Sequence, residues 1–385
     1  MKRLFLLDPA LIFLNHGSFG ACPAEVFACY QSWQRELERN PVEFLARRSA
    51  ELLAHSRAAL ARSLGADPGH LVYITNATQG VNTVARSLPL QAGDEILSTD
   101  HEYGACDNTW AFVCGRVGAK YVRVEIPLPF RAAEFTERVW AGVTPRTRVI
   151  YLSHLTSTTA LLFPLAEICR RARRAGILTL IDGAHAPGQI PLSLDELGAD
   201  FYTGNCHKWL CAPKGAAFLH ARPEHHALLD ATVVSWGYSN EVAGHTDFAA
   251  YTGSTQLERR LQWQGTRDLA AFLTVPAAIE FQTRHDWARV RRECHTLAAE
   301  ALRRICARTG LSPVCEDGDF GQMVAIPVPP MEADQLKETL FDRYRIEVPV
   351  TAHRGRLFVR ISVQGYNTRE DVEALIQALG EIYAW

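Results

Sequence analysis

Between Leu71 and His220, short apolar runs alternate with stretches of helical periodicity, and that alternation leaves the chain few folds. The runs that predict strands are Leu71–Ile74, Glu95–Ser98, Tyr121–Ile126, Arg148–Ser153, Leu178–Ile181, Phe201–Thr203 and Ala217–His220. Helical stretches fall between them at Gln79–Ser87, Ala105–Cys114 and Leu165–Ala175. Strand and helix in alternation predict an α/β fold with a mostly parallel sheet covered on both faces. Ligands of such sheets gather at the carboxyl ends of the strands. Thr75, the segment Thr99 to Tyr103, Ser153, Asp182 and Gly204 fall at those ends.

The flanks read differently. Residues 22–65 carry helical periodicity, and Gly265-Thr266-Arg267-Asp268 reads as a boundary before a helix-rich stretch, Leu269–Arg308. The tail then gives a strand in GQMVAIPVP, a helix in EADQLKETLFDRY, a strand in GRLFVRISV and a closing helix. The expected organisation is an N-terminal segment, 1–20, joining the active site, a large domain, 21–268, and a small α+β domain, 269–385. With 385 residues, 48% of them hydrophobic, the chain is long enough for such units. Net charge is −2, and no basic block argues for nucleic acid or an anionic membrane. The apolar start Leu4 to Leu7 is broken by Asp8 and Pro9, and no run reaches the ~18–20 residues of a bilayer span. A cytoplasmic protein is expected. The ten cysteines form no CxxC pair and no zinc spacing, so reduced, buried thiols and no metal are expected.

Two strand ends carry the chemistry. Asp182 closes the run Ile177 to Ile181, and a buried carboxylate needs a donor or a cation. Lys208 lies in Cys206-His207-Lys208-Trp209, where apolar flanks argue against a solvated charge. A lysine that forms a Schiff base and an aspartate that holds a pyridine nitrogen protonated are what pyridoxal phosphate (PLP) requires of its protein. The remaining parts fit around that pair. Asn76-Ala77-Thr78 follows a strand and opens a helix, where backbone N–H groups bind phosphate and Thr78 adds a hydroxyl. Asn205 and His207 flank the lysine and can reach the same phosphate. His185 can bond the phenolic oxygen, or be a satisfied core histidine. Tyr103 or His101 can stack on the ring, with Tyr103 preferred. Arg360, on an alternating strand, offers a two-pronged fit to an α-carboxylate. The side-chain pocket is expected from His16 to Phe19 (with Ser18 touching substrate), Phe44 to Arg48, and loops around Trp236 or Trp263. Arg47 and Arg48 can meet a second carboxylate or form a solvated helix face.

Taken in order, Asn76-Ala77-Thr78, Asp182 to His185, Asn205 to Lys208, Gly265-Thr266 and Arg360-Ile361-Ser362 resemble the class V aminotransferase family of fold-type I PLP enzymes. The resemblance spans nearly the whole chain. Phe13 to Gly20, Asn40 to Phe44, Asp100 to Tyr103, Ser153 to Ser157 and Ile346 to Pro349 resemble its isopenicillin N epimerase-like subgroup. It implies Lys208 as the Schiff-base lysine, Asp182 as the pyridinium partner and Arg360 as the carboxylate clamp. It also implies a homodimer in which Gly265 and Thr266 reach the phosphate of the partner subunit's cofactor. Two departures stand out. Cysteine desulfurases of the family carry a nucleophilic cysteine ahead of the carboxylate-binding arginine, and Pro349 to Arg356 holds none. Many relatives also have Asn where Ser157 stands; a serine there can still donate to the phenolic oxygen.

A lysine base and a ring that accepts electrons labilise the Cα proton of an amino acid. Return of a proton on the other face gives epimerisation, the first expectation. Loss of a β-substituent gives a carbon–sulfur lyase of a cysteine-derived substrate, the second, and protonation at the cofactor gives transamination, the third. A non-catalytic binding protein built on the same fold is expected to lose Lys208, Asp182 or Arg360, and all three are present.

Overall fold

The computed structural model describes residues 1–238 and 252–385. Its strands are β1 (Ile12–Phe13), β2 (Leu71–Ile74), β3 (Glu95–Thr99), β4 (Lys120–Val124), β5 (Thr147–Ser153), β6 (Leu178–Asp182), β7 (Phe201–Asn205), β8 (Ala217–Ala221), β9 (Met323–Val328), β10 (Ile346–Glu347), β11 (Val350–His353) and β12 (Arg356–Ser362). Seven of these form the main sheet in the order β2-β8-β7-β6-β5-β3-β4. Only β8 runs against its neighbours; the other six are parallel.

Side-chain alternation divides the interior in two. Val72, Ile74, Val149, Tyr151, Leu180, Phe201 and Leu219 face one apolar layer, shared with helices Ala77–Ser87 and Gly104–Val117. Leu71, Tyr73, Ile150, Leu152, Ile181, Tyr202 and Phe218 face a second, larger layer. Both faces are therefore dry, and the strands read as unbroken apolar runs for that reason.

The tail forms an antiparallel sheet in the order β11-β12-β9, packed with helices Trp287–Thr309, Ala333–Tyr344 and Arg369–Tyr383. The N-terminal segment is sewn onto this unit. Ile12 pairs with Ile346, and the Ser362 amide donates to the Leu14 carbonyl at 2.8 Å. Helix Val275–Arg284 packs in turn on helix Ser49–Leu64 beside the main sheet. Among the described residues no helix is long and apolar enough to cross a membrane. All ten cysteines are free thiols, eight of them buried.

One predicted strand shifts. The run Tyr121–Ile126 becomes Lys120–Val124. Glu125 and Ile126 leave the ladder because loop side chains claim the backbone there. The Ile126 amide donates to Asp100 Oδ1 at 2.9 Å, and the Ile126 carbonyl faces His101 Nε2 at 2.7 Å.

Candidate active site

A cavity of about 390 Å³ opens where β5, β6 and β7 end. Ser18, Phe19, Thr75, Asn76, Ala77, Thr78, Tyr103, Ser153, Leu155, Ser157, Asp182, Ala184, His185, Asn205, His207, Lys208 and Gly215 line it. Hydrogen bonds sort these residues into three groups.

The first group surrounds the start of helix Ala77–Ser87. Asn76 caps it, its Oδ1 accepting from the Gln79 amide at 2.8 Å. Asn205 Oδ1 accepts from the Ala77 amide at 2.9 Å and ties the end of β7 to this turn. Thr78 sits between the two tied amides, at the positive end of the helix dipole. His207 Nδ1 lies 3.0 Å from the Ala216 carbonyl, which can only accept, so Nδ1 carries the proton and Nε2 is free of it. Burial lowers the His207 pKa to about 4.

The second group is the reaction centre. Lys208 Nζ lies 3.1 Å from His185 Nε2. Trp209 Nε1 donates to His185 Nδ1 at 3.3 Å, which leaves the ring proton on Nε2, toward the lysine. Burial holds His185 neutral, with Lys208 and Arg360 adding to the shift. Burial, reinforced by the Arg360 charge, lowers the Lys208 pKa to about 8. Asp182 is buried at the end of β6; Oδ1 accepts from the Ala184 amide at 2.8 Å, and among the described residues Oδ2 meets long contacts, Tyr151 Oη at 3.4 Å and Cys106 Sγ at 3.6 Å. Desolvation raises its pKa. A cation against this under-served carboxylate would reverse that.

The third group is built by Arg360 on β12. Its Nη1 reaches the Ser157 carbonyl and, at 3.2 Å, Ser157 Oγ; its Nη2 reaches Ser18 Oγ at 3.2 Å. The guanidinium is buried, and its Nε has no partner among the described residues. Burial lowers its pKa to about 10. Ser18 and Ser157 line the cavity and Arg360 stands directly behind them, so a carboxylate that displaced either serine contact would meet a guanidinium with unspent donors.

Thus Lys208, Asp182, Tyr103, Asn76, Ala77, Thr78, Ser157, His185, Asn205, His207 and Ser18 come together around one cavity, with Arg360 against it. Of the two candidates for the ring face, Tyr103 is 45% exposed and lines the cavity. His101 is buried, committed to Thr159 and Ile126 and stacked on His353 at 4.1 Å. Ser157 meets Arg360 rather than standing as an isolated donor. Gly265 and Thr266 lie outside this chain's cavity, and Thr266 is exposed. Phe44 to Arg48, Trp236 and Trp263 do not line it either. Phe44 is buried against Trp33, Arg47 pairs with Glu43, and Arg48 pairs with Glu36 at 2.8 Å, all away from this cavity.

Of the segment His16 to Phe19 expected to line the pocket, only Ser18 and Phe19 do so; His16 stands behind the lysine, and buried Glu102 supports β5. His16 Nε2 lies 3.0 Å from the Lys208 carbonyl and Nδ1 3.0 Å from Tyr366 Oη. Glu102 is buried, accepting from the Ser153 amide and Thr99 Oγ1, both at 2.7 Å. Burial raises its pKa to about 8.

This set fits PLP: a helix start for phosphate, a buried carboxylate with one loosely held oxygen for the ring nitrogen, a neutral N–H donor, a lysine of lowered pKa, and an arginine for a carboxylate. The comparisons with known proteins agree. The family model for aminotransferase class-V matches residues 21–375. Isopenicillin N epimerase of Streptomyces clavuligerus is 40% identical over 379 residues, covering 97% of this chain and 95% of that protein. L-cysteine desulfhydrase of Arabidopsis thaliana is 27% identical over 415 residues, covering 96% and 87%. The crystal structure of the cysteine desulfurase CsdA of Escherichia coli superposes with a TM-score of 0.81 at 22% identity, covering 100% of this chain and 97% of that one.

Proposed function

This chain is a PLP-dependent enzyme of the aminotransferase class-V family, and from that premise we propose that it epimerises an amino acid at Cα. The observation that carries the reading is that Lys208 and Tyr103 line one cavity, whose lining among the described residues includes no cysteine. Bound here, the cofactor supplies an aldehyde for Lys208 and a ring that accepts the electron pair left at Cα.

The chain's own residues do the rest. Thr78 and Asn205 would hold the phosphate, with His207 joining them once the phosphate's charge protonates its Nε2, and Asn76 and Ala77 shape the turn that presents it. Asp182 would keep the ring nitrogen protonated, and His185 Nε2–H would be the donor for the phenolic oxygen. Arg360, with Ser18 and Ser157, holds the substrate carboxylate and so fixes which bond at Cα faces Lys208. The Lys208 amine removes the Cα proton; a pKa of about 8 leaves a useful fraction of neutral amine at neutral pH. Tyr103, exposed in the cavity wall, would lie against the ring and carry the proton for the other face. The two relatives at 40% identity, both isopenicillin N epimerases, support this over the desulfhydrases at lower identity. A homodimer, with Gly265 and Thr266 reaching the partner's phosphate, completes the reading.

The test is a screen of amino acids in deuterium oxide. Epimerisation predicts deuterium at Cα with the amino acid retained and its configuration scrambled. Pyruvate with a thiol or sulfide would assign a carbon–sulfur lyase instead, and a keto acid with aminated cofactor a transaminase. Lys208→Ala should abolish the visible-edge absorption of the cofactor bound to lysine; an unchanged band and rate would refute the role of Lys208.

A further inference from the structure

The cavity occupies the carboxyl ends of the parallel strands. At the other edge of the sheet, where those strands begin, a second cluster of ligand-type side chains remains unexplained. His70 immediately precedes β2; His220 lies on β8, paired with Leu71; Asp195 lies on the short helix Leu194–Leu197, ahead of β7. One ligand atom from each lies within 4.8 Å of the others.

His220 makes the cluster informative. It is 2% exposed, and neither ring nitrogen has a hydrogen-bond partner among the described residues. Its Nε2 stands 3.9 Å from Asp195 Oδ1, too far for a hydrogen bond. A buried imidazole with both nitrogens unsatisfied is costly, and such groups call for an ion or a water.

We propose that His70, Asp195 and His220 form a binding site for a divalent transition metal of the zinc class, outside the catalytic cavity and completed by water. Two imidazoles and a carboxylate select zinc-like ions over magnesium or calcium, which prefer all-oxygen shells. Tetrahedral zinc places ligand atoms about 3.3 Å apart. The Asp195 side chain is 58% exposed and free to swing the remaining distance. The metal ties together three segments distant in sequence and acts as a strut on the sheet edge. The other histidine–carboxylate cluster, Asp100 with His101 and His353, does not offer this: both His101 nitrogens are engaged, and Asp100 already holds Arg354 and the Ile126 amide.

The experiment is a calorimetric titration of chelator-treated, PLP-loaded protein with zinc chloride, alongside its thermal melt. Expected is one zinc per chain, with a raised melting temperature. His70→Ala and Asp195→Asn, both at half-buried or exposed positions, should each weaken that binding at least about tenfold, since even outer-shell losses cost ~10–100-fold. They should also remove the zinc-dependent rise in melting temperature while leaving the cofactor band in place. No zinc uptake by the wild-type protein at micromolar concentration would overturn the proposal and assign the His220 nitrogens to water. Uptake of the same affinity in both variants would overturn it too, placing the ion elsewhere.

Discussion

A lysine buried away from water, with a guanidinium nearby, loses its proton more readily than a solvated one. The sign follows directly: the neutral amine attacks an aldehyde, and its fraction rises with pH. Cofactor uptake by the apoprotein should therefore accelerate through a midpoint near pH 8, well below the value for an ordinary lysine. Arg360→Met removes a cation that lowers this pKa, so the midpoint should move up and uptake at pH 8 should slow. The same substitution should cut kcat/KM for the amino acid by roughly 10–100-fold, as a charged hydrogen-bonded pair is worth ~1.5–3 kcal/mol. Stopped-flow absorbance across pH checks the first; a midpoint that does not respond to Arg360→Met would break the electrostatic link. At this scale the sequence was most legible where chemistry sits at a strand end, as at Asp182, Thr78 and Lys208. It was least legible for the burial of Glu102 and for the contacts of His16, which was expected in the pocket wall, because Ser153, Tyr366 and Lys208 come close to them only through the fold.

Helix Ala77–Ser87 has to lie close on the sheet for its first turn to face the cavity. Gly80 permits this, since a Cβ there would run into Thr203 on β7 and into Ile74. Gly80→Ala gains in helix propensity, yet overpacking of this kind costs ~1–3 kcal/mol. The collision wins, and the turn carrying Thr78 should lift from the phosphate site. The expected result is a lower melting temperature and weaker PLP affinity, read by cofactor-band titration; a variant that melts higher with unchanged PLP affinity would show the approach is not tight. Gly20 plays a similar part at the lysine: with φ +70°, it lies where a side chain would meet the backbone of His207 and Lys208. The strand positions were readable because dry strands are apolar throughout. The antiparallel direction of β8, the two-residue strands β1 and β10, and the strand β11 were not, because pairing partners and direction leave no period in the sequence.

At the scale of the whole molecule, Arg360 and Lys208 come from different layers of the fold, and the N-terminal segment joins them. It pairs with the C-terminal unit through Ile12 and Leu14, binds the Lys208 carbonyl through His16, and offers Ser18 to Arg360. The family resemblance supplies what one chain lacks, a use for Gly265 and Thr266, which lie outside their own cavity. If they complete the partner's phosphate site, catalysis needs two chains, and solution mass should be about twice 42.8 kDa. Subunit mixing tests the sharing itself. A Lys208→Ala chain keeps a sound Thr266, and a Thr266→Arg chain keeps a sound Lys208. Each homodimer is inactive or nearly so. In the mixed dimer both lesions fall in one site, while the other receives Lys208 from one chain and Thr266 from its partner. Random mixing places half the chains in such dimers, each with one sound site of two, so about a quarter of wild-type activity should return. Recovery at that level requires the shared site. If activity only averages the two parents, Thr266 acts within its own chain or not at all.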